Sequence, residues 1–474
     1  MGNTALTTHW KLNVEQGHLS LQIADCIRKS IICGQIKPGD KISPTRQLSS
    51  ELSVARGTVM TAIEILLAEG LLEAKVGSGT YVSMDASCIT DNSQPNLELT
   101  LPLPRRVWKP NIDSCTPGQI DFSPCRPSLE GFPVQDWQRC LAHANSRVPA
   151  ADYGDPQGDE KLRIVIAEYL RRSRGLTLSS DQILITNGTV EAIYLLSEMY
   201  LDRDCKVIVE NPGYPLAQQA LSLSGTKIIP CGVDENGLII DDLPNDKDNY
   251  EFVYVTPSHQ FPTGSRLSLG RRRALIDWAE QRKALIIEDD YDGEFRYDVP
   301  PLPALASMPN SCVVYCGTFS KTMFPGLRVG FVAASVKLIQ QISNFRTILG
   351  YMPSSITQGG LAEFIERGHY ERHIHRMRRL YARKRKTLSQ ALCDFMPTGT
   401  IRGLDSGLNA LVELGTSQSA IAISNKAKRA GVIVQPLQRY LINKDKKDNS
   451  IILGYAKPSI DEIIQGIKTL GKLH

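Results

Sequence analysis

The stretch GTFSKTMFPGLRVG, residues 317–330, sets a lysine among groups suited to holding a phosphate. Lys321 follows the small hydroxyl residues Thr318 and Ser320, and Arg328 lies shortly beyond. A lysine amine can form a Schiff base with an aldehyde cofactor, the entry step of pyridoxal-phosphate chemistry. Hydroxyls and a guanidinium clamp a phosphate through charge-assisted, bidentate hydrogen bonds. The stretch also lies between two strand-like runs, CVVYC before it and VGFVAA at its end. Further such runs, KVIVE, FVYVT and ALIIED, alternate with helical segments such as LGRRRALIDWAEQRK. Near-continuous Val/Ile runs imply strands buried on both faces, as in a mostly parallel α/β sheet. From about Met352 the pattern turns helical, and it ends in a smaller α+β piece containing GVIVQP and IILGYA.

Two upstream segments supply partners for the lysine. In TNGTVEAI, residues 186–193, Asn187-Gly188-Thr189 stands at an expected helix start. Free backbone amides there bind phosphate oxygens, and a glycine permits the approach. In IIEDDYDGEF, residues 286–295, Asp289 and Tyr291 follow a buried strand. A carboxylate at that point can bond a pyridinium nitrogen and keep it protonated, and a phenol can bond the ring's 3-oxygen. A solvated acidic loop is the plainer reading of the same run. His259 and Gln260 lie in PSHQFPTG, which either shapes backbone or runs beside the cofactor. The basic run from Arg372 to Lys386 is arranged as a solvated helix face, with auxiliary DNA contact as the sharper alternative.

The N-terminal part has a different pattern. Leu19, Ile23, Ile27 and Ile31 repeat at helical spacing. Gly34 ends that helix, and the chain turns through Pro38 and Gly39. Pro44 opens a short second helix with Leu48 and Leu52, and a third carries Val59, Ile63, Leu66 and Leu67. LLEAKVGSGTYVS reads as two short strands about a glycine turn. This is the winged helix-turn-helix layout. Residues 1–85 hold eight Lys/Arg against eight Asp/Glu, so contact with nucleic acid must come from placement rather than net charge. Arg46 opens the second helix, Arg56 and Thr58 open the third, and Gly77 sits at the wing with Lys75. We expect a DNA-binding domain over residues 12–84, a proline-interrupted linker over 85–117 and a second domain over 118–474.

With 474 residues, 42% hydrophobic and 22% charged, the composition is that of a globular protein of two or three domains. The sequence has no apolar run long enough to cross a membrane and no signal-peptide core at its start. Eleven cysteines without a CxxC pair point to buried thiols in a reducing cytoplasm rather than to metal or disulfides. No metal site is expected.

Residues 21–82 resemble the winged helix of GntR-type bacterial regulators, with Ser43-Pro44-Thr45-Arg46 near the family's Pro-Ser-Thr-Arg segment. That resemblance makes Arg46, Arg56, Thr58 and Gly77 the DNA contacts, with Met60 where some relatives carry a basic residue. The order Asn-Gly-Thr, Pro-Gly-Tyr, PSHQFPTG, Asp-Asp-Tyr, Ser-Lys and Arg is similar to fold-type I aminotransferases. Together the two modules resemble the MocR subfamily of GntR regulators over nearly the whole chain. The resemblance implies an N-terminal winged helix joined to a PLP-dependent transferase fold of type I. It makes Lys321 the Schiff-base lysine and gives the phosphate to Thr318, Ser320, Arg328, Gly188 and Thr189. Tyr214 would stack on the ring, Asp289 bond its nitrogen, Tyr291 reach the 3-oxygen, and Tyr153 reach a neighbouring subunit's phosphate in a homodimer.

One departure stands out. Aminotransferases bind the substrate carboxylate with an arginine just before a Phe or Tyr in a late strand, and here Ile452 takes that position. Arg402 and Lys457 are the candidate substitutes. The expectation is therefore a cytoplasmic, PLP-responsive transcription regulator that also takes a small amino compound or the cofactor itself as effector. Vitamin B6 or amino-compound metabolism would be its target, and a working aminotransferase with an appended regulatory domain is the alternative.

Overall fold

The computed structural model describes residues 10, 12–14, 17–89, 116–146, 153–246, 248–297, 302–309, 312–350, 352–415, 418–443 and 448–473. The chain divides into two compact units, Met1–Asn111 and Ile112–His474. Most of the expected linker lies outside the described residues.

In the first unit, α1 (Leu19–Ile32), α2 (Thr45–Glu51) and α3 (Arg56–Ala68) precede a hairpin of β1 (Leu72–Lys75) and β2 (Gly79–Val82). Ile23, Ile27 and Ile31 of α1 are fully buried against Val59, Ile63 and Leu66 of α3, with Leu48 of α2 closing the cluster. Arg28 of α1 bonds both carboxylate oxygens of Glu69 just past α3, which sets the pitch of the two helices. The hairpin register runs from Leu72 opposite Val82 to Lys75 opposite Gly79. A feature absent from the sequence reading is a third edge strand segment: the Ile42 amide donates to the Thr80 carbonyl, and Lys41 bridges Tyr81.

The second unit begins with β3 (Ile120–Asp121) and is built on an eight-stranded sheet. Its strands are β4 (Ile183–Thr186), β5 (Lys206–Asn211), β6 (Lys227–Asp234), β7 (Gly237–Leu238), β8 (Tyr250–Val255), β9 (Leu285–Asp290), β10 (Val313–Thr318) and β11 (Gly330–Ala333). The spatial order is β4-β11-β10-β9-β8-β5-β6-β7. Pairs β10–β9, β9–β8, β8–β5 and β5–β6 are parallel, and β11 runs antiparallel to both of its neighbours. All five strand-like runs read from the sequence are in this sheet. Buried aliphatic clusters cover both of its faces, which is why those runs carry Val and Ile without alternation.

Downstream, β12 (Thr400–Arg402), β13 (Asn409–Glu413), β14 (Val432–Ile433), β15 (Gln435–Pro436) and β16 (Ser450–Gly454) form the smaller α+β part. A four-stranded sheet is ordered β12-β13-β16-β15, while β14 pairs in parallel with β3. The segment before the helices of the large sheet is thus tied to the C-terminal piece. The mixed, mostly parallel α/β architecture expected from the sequence is the architecture observed.

Candidate cofactor site and nucleic-acid interface

The carboxyl ends of parallel strands are where an open α/β sheet offers a crevice for ligands. Here β9 ends in Glu288-Asp289-Asp290, and alternation splits the three acids between faces. Glu288 accepts from the Leu305 and Ala306 amides on one face. Asp289 turns to the other face, where its Oδ2 accepts from the Tyr254 hydroxyl at 2.7 Å. Its Oδ1 is buried without a hydrogen-bond partner. Burial pushes the Asp289 carboxyl up to about 7, against the Tyr254 hydrogen bond and the nearby Lys321 ammonium that pull it down. A buried carboxylate oxygen without a donor fits a cationic ring N–H. The run is therefore a buried constellation, and the solvated-loop reading falls.

The phosphate end is built by β10, β11 and β4. Lys321 is half-buried in the turn after β10. Thr318 Oγ1 donates to Ser320 Oγ at 3.0 Å and accepts from the Ser320 amide at 3.1 Å, which groups both hydroxyls one turn before Lys321. Antiparallel pairing puts Gly330 opposite Thr186, so the Asn187-Gly188 corner meets the strand after Arg328. Gly188 has φ 121°, and a Cβ there would come within 3.5 Å of the Arg328 guanidinium. Thr189 opens the helix Thr189–Tyr200, whose first-turn amides lack helical partners. These residues fit a phosphate: a helix start, a guanidinium over a glycine, and two hydroxyls.

The site's walls include Tyr214, which precedes the helix Pro215–Leu221 and packs edge-on against Phe261 at 5.6 Å. Tyr291 is buried, its hydroxyl 2.9 Å from His259 Nδ1. Burial raises the Tyr291 phenol well above its ordinary value, and the charges of Asp292 and Asp289 add to that. Tyr153 stands 95% exposed on its own, and nothing within the described residues brings it to the other candidates.

Two residues were missed by the sequence reading. Cys125 stands at φ 58°, and burial pushes its thiol up to about 12 against the pull of the Lys321 charge. Asn409 of β13 holds it, accepting from the Cys125 amide at 2.8 Å and donating to its sulfur at 3.3 Å. A contact across 284 residues of sequence leaves no local signal. Gln260 is fully engaged in shaping backbone: its amide nitrogen donates to Glu210, Pro212 and Phe261 oxygens, and its oxygen accepts from Thr263.

At Ile452 the side chain is fully buried, packed with Leu411 and Leu437 and against Tyr440. Neither candidate substitute serves that position. Arg402 faces Glu413 at 3.6 Å with both side chains more than half exposed, and Lys457 donates to the buried Asp121 at 2.7 Å. The basic run is a correction in part. Arg372, Arg376, Arg379, Arg383 and Lys386 line an exposed stripe of the helix His369–Phe395. Lys384, however, is buried and donates to the Ala456 carbonyl, while Arg378 donates to the Glu294 carbonyl.

In the first unit Arg46 and Arg56 are exposed, and Thr58 is half-buried in the first turn of α3. The Arg56 Nε–H donates to Thr45 Oγ1 at 3.4 Å, which draws the starts of α2 and α3 together. Gly77 takes φ 74° at the wing tip beside Val76, whose side chain is entirely exposed. The sequence reading missed Tyr81, whose ring lies beneath both Lys41 and Lys75. That arrangement gathers two cations on the wing of a module that is neutral overall.

The model of bacterial regulatory proteins of the gntR family matches residues 19–82, and that of aminotransferase class I and II matches residues 119–445. The chain is 33% identical to the probable rhizopine catabolism regulatory protein MocR of Rhizobium meliloti, over 95% of this chain and 92% of that protein. It is also 33% identical to the pyridoxine biosynthesis transcriptional regulator PdxR of Corynebacterium glutamicum, over 95% and 94%. Among solved structures, an archaeal alanine:glyoxylate aminotransferase superposes with a TM-score of 0.70 at 27% identity, covering 75% of this chain and 90% of that one. The kynurenine aminotransferase of Pyrococcus horikoshii, solved with PMP, gives 0.70 at 26% identity over 76% and 91%. The chain belongs to the MocR-type branch of the GntR transcription regulators, in which a winged helix is joined to an aminotransferase class I and II domain.

Proposed function

We propose that this regulator uses its aminotransferase-like domain as a receptor for pyridoxal phosphate, and that occupancy of the site changes its grip on DNA. The observation carrying the reading is Ile452. Where an aminotransferase would pair the substrate carboxylate with an arginine, this chain offers a sealed apolar cluster, and Arg402 and Lys457 are engaged elsewhere. A carboxylate left unpaired there would cost several times the thermal energy. The lysine, the acid and the phosphate cradle are meanwhile all present. Binding is retained and turnover of amino acids is disfavoured.

When bound, pyridoxal phosphate supplies an aldehyde for covalent capture and a ring that withdraws electrons. The chain's own residues do the rest. Lys321 would hold the aldehyde carbon, and Arg328, Gly188, Thr189, Thr318 and Ser320 the phosphate. Asp289 would keep a proton on the ring nitrogen, Tyr291 would donate to the ring oxygen, and Tyr214 would cover the ring. Tyr153, almost wholly exposed, would complete the partner's site in a homodimer. Two domains paired in this way would present two winged helices to DNA, and an effector acts by binding one arrangement of them better than another. Mobility-shift titration of the DNA upstream of the protein's own coding sequence tests this. The affinity should change at least fivefold when pyridoxal phosphate is added, a coupling of about 1 kcal/mol. An unchanged affinity overturns the proposal.

Asp289 predicts a pH dependence. In the cofactor-free protein its carboxyl is raised to about 7, above its unfolded value, so its contribution to stability is present in acid and lost as pH rises through about 7. The carboxylate needed to pair a ring nitrogen is populated over that same rise. The gain in melting temperature on adding pyridoxal phosphate should therefore grow between about pH 6 and about pH 8. In Asp289→Asn that gain should be small and nearly flat. Equal slopes in the two proteins would remove Asp289 from the site.

For the winged helix, Arg56→Ala should weaken binding to the same DNA by about 1–3 kcal/mol, with a smaller loss for Thr58→Ala. Surface plasmon resonance at fixed salt measures it. Wild-type affinity in Arg56→Ala would take α3 out of the groove.

A further inference from the structure

His259 is 2% exposed and has no task in the reading above. Its Nδ1 lies 2.9 Å from the Tyr291 phenol oxygen and 3.0 Å from Asp292 Oδ2. One ring nitrogen cannot accept from the phenol while donating to the carboxylate. If Nδ1 were unprotonated, its lone pair would face the Asp292 carboxylate at hydrogen-bond distance. With the proton on Nδ1, the N–H is shared by the carboxylate and the phenol oxygen. Tyr291 is then an acceptor toward His259, and its own O–H is free to donate in another direction. The opposite nitrogen, Nε2, is buried without a partner, so the side of the ring that meets acceptors is Nδ1.

The ring is also locked. A Cβ on Gly264 would come within 3.1 Å of Nε2, and one on Gly407 within 2.0 Å of Cε1, so backbone closes on it from two sides. Both glycines have positive φ, 78° and 73°, a conformation that lets the chain pass this close without side chains. Gln260, its neighbour, spends every polar atom on backbone and Glu210. His259 and Gln260 thus do different work.

We propose that His259 is a positioning residue: oriented by Asp292, it makes the Tyr291 phenol a hydrogen-bond donor toward an anionic ring oxygen of the bound ligand. This rests on the cofactor reading of the site. The chain of contacts runs Asp292 to His259 to Tyr291, and the sequence separation of 32 and 33 residues explains why no motif announces it. Charged and titratable groups facing the phenol are Asp292, Asp289, Cys125 and Tyr254, and the Lys321 charge is felt at Cys125. Donation to the ring oxygen favours its anionic form and holds the bound chromophore's titration low; loss of the donor raises it.

The test is a pH titration of the visible absorbance of the full chain loaded with pyridoxal phosphate. His259→Leu should raise the midpoint by about one pH unit. Tyr291→Phe should raise it at least as far, and the double variant no further than Tyr291→Phe alone. His259→Asn, which keeps an N–H donor, should recover most of the wild-type value. An unmoved midpoint in His259→Leu, or additive shifts in the double variant, overturns the proposal. Should His259→Leu fail to fold, Asp292→Asn leaves the ring in place and removes the carboxylate that sets its tautomer. Its midpoint should also rise, and an unmoved one is equally fatal. A wild-type protein that takes up no pyridoxal phosphate sinks the cofactor reading together with this one, whereas bound cofactor with unmoved midpoints sinks this one alone.

Discussion

Lys321→Ala should fail to develop the visible absorbance that the wild type gains with pyridoxal phosphate, and its DNA binding should no longer follow the cofactor. Lys321 is the site's amine and offers a covalent bond; Arg328, Asp289 and the helix start at Thr189 offer hydrogen bonds and charge. Its ammonium is also felt by the buried Asp289 carboxyl and by the partly buried Cys125 thiol. Removing it takes away both the covalent bond and a positive charge that offsets the Asp289 carboxyl. Affinity for pyridoxal phosphate should fall roughly 100-fold, about 2.7 kcal/mol, measured by equilibrium dialysis. The winged helix does not contain Lys321, so DNA binding without cofactor should stay at the wild-type level. If the variant's DNA affinity still shifts with pyridoxal phosphate as the wild type's does, the receptor does not work through this lysine. If cofactor-free DNA binding is also lost, the substitution has damaged the fold and Lys321→Arg, which keeps the charge without a Schiff-base amine, decides.

How much of this was legible depends on the reach of each signal. Lys321, Thr318, Ser320 and Arg328 lie within one strand–turn–strand, so local residue types announce them. Asp289 was legible because a strand end is readable from Val/Ile runs. Its orphan oxygen was not, since that depends on Tyr254 one strand away. The Cys125–Asn409 clasp and the His259–Asp292 pair are juxtapositions made by the sheet, and periodicity says nothing about them. The run Arg372–Lys386 shows the opposite failure. Its helical spacing was plain and five of its cations are exposed, yet Lys384 sits in the interior, capping the Ala456 carbonyl. The third edge segment at Lys41 was missed because a single bridge needs no strand-like composition.

Arg174→Ala should destabilise the second unit strongly, by about 3–5 kcal/mol. Arg174 ends the helix Glu160–Arg174, and its side chain is 5% exposed. Its Nε–H donates to Asp290 Oδ2 at 2.5 Å, and its Nη2 lies 3.2 Å from Glu294 Oε1. Tyr315 donates to the same Asp290 oxygen at 2.7 Å, and Tyr169 donates to Glu294 at 3.0 Å. Burial would raise the Asp290 carboxyl, but the guanidinium and the Tyr315 hydroxyl outweigh it and hold the group below its ordinary value. A depressed carboxyl contributes stability above its unfolded pKa and loses it as pH falls, so the wild type should be weakened toward acid while Arg174→Ala is already weak at neutral pH. Without Arg174 the buried Asp290 carboxylate keeps the Tyr315 hydroxyl and the charge of Arg296, and its desolvation is no longer fully offset. Gly293 shows how tightly this cradle is closed, since a Cβ there would meet both Asp290 and Arg174. Because Asp290 adjoins Asp289 on β9, the substitution should also loosen the acid that faces the ring nitrogen. Chemical denaturation measures the loss, and pyridoxal phosphate should recover only part of it. An unfolding free energy within about 1 kcal/mol of the wild type would mean that the Arg174–Asp290 pair returns no more than its desolvation takes, and that the strand end is held by Tyr315, Arg296 and the hydrophobic layers.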